Sequence, residues 1–156
     1  MKKILIILIL SLSMINLNTF ASEKTYFELT TEYNTENSKS TGVDYKKLDA
    51  ISEEIIKKVK SEENKKNYEK YSKVFTLVLN KAKKDNQTFW EFYNFWMKFR
   101  YKIDDYIATG KVKNEKKLEL LYTVQTTLNE TINWLCDKIW WCGLGQDDAI
   151  KLKNIK

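Results

Sequence analysis

The sequence contains no histidine. That absence removes imidazole as a general acid or base. With it go Ser-His-Asp and Cys-His nucleophile arrangements and most zinc and copper sites. Proline is also absent, and there are only four glycines, Gly42, Gly110, Gly143 and Gly145. With so few residues that interrupt a helix, the 156-residue chain is expected to be helical nearly throughout. Period-two alternation is missing at any useful length, so no sheet is expected. Arginine is nearly missing: of 27 basic residues, Arg100 alone is not a lysine.

Cysteine is limited to Cys136 and Cys142. Six residues apart on a regular helix, they would sit about 9 Å apart along the axis. A disulfide needs Cα atoms within about 7 Å. A bridge between them therefore requires the helix to unwind around Lys138 to Trp141, with Gly143 and Gly145 allowing a reversal. That bridge is the expectation here, against two free thiols or an intermolecular bond. The spacing is not Cys-x-x-Cys, so a redox pair is not indicated. The following segment, Gly143 to Ile150, lacks the acidic ladder of a calcium loop, and no metal site or cofactor is expected.

What is present begins with an address. Lys2 and Lys3 precede an apolar run from Ile4 to Leu12, and Thr19-Phe20-Ala21 is a small-x-small cleavage pattern. Residues 1–21 are expected to be a signal peptide, cut after Ala21, which directs the protein to the periplasm or outside the cell. No other run is long and apolar enough to span a bilayer. The whole chain carries 27 basic and 21 acidic residues; without Lys2 and Lys3 the count is 25 against 21, a net charge of +4. Both signs are interspersed, so no nucleic-acid partner is expected.

Residues 22–42 are rich in Thr, Asn, Ser and Glu, with Tyr26, Phe27, Leu29 and Tyr33 as the only anchors. A flexible polar arm is expected there. Leu48, Ile51, Ile55 and Val59 then repeat at helical spacing, after a start signal at Asp44. Eight polar residues from Lys60 to Asn67 interrupt the pattern before a second stripe through Tyr71, Phe75, Val78 and Ala82. This predicts two helices joined by a turn, with one long helix as the alternative.

The stretch from Thr88 to Gly110 is the most distinctive. Eight aromatic residues lie between Phe89 and Tyr101. Thr88 and Glu91 form a capping-box pattern, and Gly110 is suited to a left-handed stop. At about 100° per residue, Phe89, Phe92, Tyr93, Phe95, Trp96, Phe99, Ile103, Tyr106 and Ile107 fall on one arc of roughly 160°. Trp90, Met97 and Tyr101 form a second stripe. This helix is expected to be the one around which the others pack. Arg100 lies within its aromatic arc, one turn from Asp104, and is read either as an internal ion pair or as an anion-binding group.

Asn114 is a candidate cap for a last helix, whose main face runs from Leu118 through Gln125 to Trp140. Trp134 and Trp141 lie on its other side, to be covered by the tail through Leu144, Ile150 and Leu152, or else exposed as an interface. The expected architecture is all-α: a single-domain antiparallel bundle of about four helices over residues 43–156.

Three functions are compatible with these features. The first is an exported, non-enzymatic protein that binds a macromolecular partner, such as an inhibitor, immunity factor, adhesin or secretion accessory. Its candidate contact residues are Arg100, Asp104, Trp90, Tyr101, Trp134 and Trp141. The second is a membrane-surface or pore-forming cationic protein, resting on the aromatic helix and basic balance. The third is a cell-wall glycoside hydrolase with Glu91, between Trp90 and Phe92, as a carboxylic acid of raised pKa. No catalytic residue is otherwise indicated.

Overall fold

The computed structural model describes residues 23–141 and 150–155. The signal-peptide segment, Cys142 and the glycine-containing stretch after it lie outside the described residues. Among the described residues there are five α-helices: α1 (Tyr26–Asn37), α2 (Tyr45–Val59), α3 (Lys65–Lys84), α4 (Phe89–Ala108) and α5 (Glu115–Trp141). A short 3-10 turn, Leu152–Asn154, follows, and the described residues contain no strand. The all-helical class read from the sequence is correct.

Helix α1 corrects the expectation of a flexible arm. Thr25 and Glu28 form a full capping box, with the Thr25 hydroxyl accepting from the Glu28 N–H and the Glu28 carboxylate accepting from the Thr25 N–H. Glu115, in the first turn of α5, accepts from the N–H groups of Tyr26 at 2.5 Å and Phe27 at 3.0 Å. These are helix-start donors that would otherwise lack a partner. Leu29 is completely buried, and Thr30 bonds both the Tyr26 carbonyl and the Tyr122 hydroxyl.

The predicted break after α2 is real and has a structural anchor. Asn64 is 3% exposed, and its side-chain amide donates to the Val59 carbonyl at 2.9 Å and to the Thr123 hydroxyl at 2.7 Å. The turn therefore closes α2 and ties it to α5. Gly110 takes φ +63°, as its place after α4 requires, and Asn86 takes φ 57° in the turn between α3 and α4. Asn114 caps α5 through the Lys117 N–H.

The bundle is organised around α5, not around the aromatic helix. All four other helices pack against α5. Two apolar clusters divide its length. One joins Phe75, Leu79, Phe92 and Trp96 to Leu128, Leu135 and the tail residues Leu152 and Ile155. The other joins Leu29, Ile51, Ile55, Ile103 and Ile107 to Leu118 and Tyr122. What lets α5 face so many neighbours is a set of buried threonines, Thr123, Thr126 and Thr127. They are small, and the hydroxyls of Thr123 and Thr127 bond carbonyls one turn earlier in the same helix. Their methyl groups then pack like valine, with those hydroxyls satisfied.

The tail is pinned beside the start of α4. The Phe89 N–H donates to the Ile150 carbonyl at 2.8 Å, and the Leu152 N–H to the Gln87 carbonyl at 3.0 Å. Ile150, Leu152 and Ile155 are buried in the first cluster, so the tail completes that core.

Candidate functional site

Helices α1, α2, α4 and α5 enclose a cleft of about 510 Å³. Arg100 and Asp104 lie on its α4 wall, with Gln125, Asn129 and Glu130 on the α5 wall. The expected Arg100–Asp104 pair is present: Nε of Arg100 stands 3.4 Å from Oδ2 of Asp104. The approach lacks hydrogen-bond geometry, and Arg100 Nε is buried without a hydrogen-bond partner among the described residues. Gln125, the polar residue in the middle of the α5 face, donates from Nε2 to the other Asp104 oxygen at 2.6 Å. Asp104 therefore joins α4 to α5 and balances the one guanidinium of the chain.

Glu130, at the edge of the cleft, is partnered from the residue that follows α2 and from α3. It pairs with Lys60 and accepts from the Tyr68 hydroxyl at 2.5 Å. Burial, followed by this carboxylate, pushes the Tyr68 phenol up. On the inner wall, burial also raises the pKa of Tyr122, whose hydroxyl is shared with Thr30.

Around the outside of α4 the aromatic residues split. Phe89, Phe92 and Trp96 are buried, and Trp96 meets Phe75 edge-on with ring centroids 4.9 Å apart. Phe95, expected in the core, is 64% exposed, and Phe99 and Tyr106 are exposed as well. The buried arc is narrower than the aromatic arc: α5, α1, the Phe75 side of α3, Ile51 and Ile55 of α2 and the tail cover the residues that face them, and Phe95, Phe99 and Tyr106 lie beyond that cover. On the other flank, Trp90 and Tyr101 are exposed, Tyr101 by 56%. Trp90 contacts Phe89 and Tyr93 edge-on at 5.0 and 5.4 Å.

The chain matches no protein-family model, no curated protein and no solved structure. Its chemistry has to be read from its own residues.

The six candidate contact residues do not form one site. Arg100 and Asp104 are together in the cleft, and Tyr101 lies on the same side of α4 as Asp104 by helical spacing. Trp90 is nearly three turns away. Trp134 is 42% exposed, with Lys83 and Lys138 over its ring at 5.9 and 5.8 Å. Trp141 ends α5, and its side chain lies outside the described residues.

Cys136 is a free thiol on α5, which is helical through Trp141, and its expected bridge partner Cys142 lies outside the described residues. Burial, and then Asp137, raises the pKa of that thiol. Glu91 is exposed, and its carboxyl is held below the usual range by the Thr88 N–H and hydroxyl. It serves the helix cap and lacks the raised pKa that a general acid needs. Among the described residues, no cluster of acidic or cysteine side chains is arranged to hold a metal ion, and no helix is long and apolar enough to cross a membrane.

The sequence missed the α1 wall of the cleft, contributed by Tyr33, Asn34 and Asn37. The missed signal was the Thr-x-x-Glu pattern at Thr25, the same one that marks Thr88.

Proposed function

We propose that this is an exported, non-enzymatic protein of the periplasm or cell exterior that works by binding another protein through the exposed aromatic side of α4. The observation that carries this is the exposure of Phe95 and Phe99, one turn apart on a helix that buries Phe89, Phe92 and Trp96. Exposed rings grouped on a rigid helix are the usual anchors of protein interfaces. Lys98 and Lys102 are exposed beside them, so the complementary surface is acidic. An inhibitor, immunity factor, adhesin or secretion accessory would each use such a surface.

The test is a photo-crosslinking residue at position 95 in the cells that make the protein, with position 66 on α3 as a surface control. One discrete protein adduct at position 95, lost in Phe99→Ala and absent from the control, supports the proposal. Equal labelling at both positions overturns it. Lipid adducts at position 95, with co-flotation on anionic liposomes, would replace the protein partner with a membrane surface.

A further inference from the structure

We infer that the Arg100 cleft is a binding site for a neutral saccharide. It lies across α4 from the aromatic surface: Asp104 and Phe95 are nine residues apart and point to opposite sides of the helix at about 100° per residue. The inference therefore stands independently of the protein-binding proposal.

Charge balance decides the class of ligand first. Arg100 is faced by Asp104, and Glu130 is met by Lys60. Asp105, exposed at the rim, is the remaining charge in the lining. An incoming anion would find its one cation already neutralised and three carboxylates nearby. An incoming cation would find Asp104 and Glu130 already paired, with only Asp105, exposed at the rim, to meet it. The cleft is matched to a polar ligand without net charge.

Hydrogen-bonding chemistry narrows the class further. Five side-chain amides line the cleft: Asn34, Asn37, Gln125, Asn129 and Asn133. Each carries both a donor and an acceptor, as does each hydroxyl of a sugar. Gln125 spends one donor on Asp104, while the side chains of the four asparagines make no hydrogen bond among the described residues. Nε of Arg100 likewise has no hydrogen-bond partner among the described residues, and the guanidinium fork is the donor offered to a pair of neighbouring hydroxyls. Tyr33 and Ile55 give the wall apolar surface for the C–H face of a pyranose ring. The volume is in the range of about 300–1,000 Å³ usual for small-molecule sites.

The experiment is saturation-transfer NMR and calorimetry on the purified chain with glucose, N-acetylglucosamine and chitobiose, and with glucuronate and inorganic phosphate as charged probes. Saturation transfer to a neutral sugar with a Kd of about 1 mM or below is expected. Asn129→Ala and Arg100→Lys should each weaken it at least about fivefold while the helical circular dichroism is unchanged. Tighter binding of chitobiose than of the monosaccharide would identify a glycan chain as the source, and equal binding a free sugar. Three results overturn the inference: no transfer to any neutral sugar at about 10 mM, well above the Kd expected for such a site; tighter binding of glucuronate or phosphate than of glucose; or full binding retained in both variants.

Discussion

Replacing Leu29 by alanine should destabilise the protein by about 3 kcal/mol. Leu29 has no exposed surface and packs in the cluster of Ile51, Ile55, Val59, Leu118 and Tyr122. The substitution removes three carbon atoms, worth about 2.4 kcal/mol at ~0.8 kcal/mol for each buried methylene-sized group. The residual cavity adds to that, and Leu-to-Ala changes at fully buried sites cost about 2–5 kcal/mol. For a domain of this size, such a loss lowers Tm by roughly 10 °C. Urea unfolding followed by circular dichroism at 222 nm measures it directly. Phe27→Ala is the paired control, because that ring is 37% exposed on the same helix beneath Lys113. It should cost less than about 1 kcal/mol. If Leu29→Ala unfolds within about 0.5 kcal/mol of the parent, no different from Phe27→Ala, then α1 is not packed and the cleft loses one wall.

Two further perturbations test other joints. Asn64→Ala strands the Val59 carbonyl and one side of the Thr123 hydroxyl, and should cost about 2–4 kcal/mol. A double-mutant cycle with Thr123→Val should give a coupling near 1 kcal/mol; strict additivity would show that the bond does not contribute. Glu36 predicts the acid limb of stability. Its carboxyl is held down to about 2 by Lys39 first and by the Asp44 N–H. A lowered native pKa means that its contribution is whole above about pH 4.5 and is lost as pH falls toward 2. Glu36→Gln should therefore flatten the stability profile between those values in urea melts, and an unchanged slope would refute the assignment.

Local signals in the chain foretold local structure. The caps at Thr88 and Asn114, the stop at Gly110 and the pause between Val59 and Lys65 were all legible, because each depends on residues within a few positions of one another. The Arg100–Asp104 pair was legible for the same reason, one helical turn being a local distance. Helix α1 carried an equally local capping signal at Thr25 and Glu28. Its composition hid it, because Thr30, Glu32 and Asn34 count as polar although Thr30 is buried and bonded.

The remainder was settled only by tertiary packing. Phe89, Phe92, Phe95 and Phe99 are indistinguishable by hydrophobicity, and the neighbours covering α4 decided that the first two are buried and the last two exposed. The choice of α5 as the hub rested on threonines whose hydroxyls turn back into their own helix, a property that no hydropathy pattern records. The asparagines of α1 and α5 were scattered polar residues until helix packing set them around one cleft. Helical spacing determines which side of a helix a residue occupies; only the packing of one helix on another determines what that side meets.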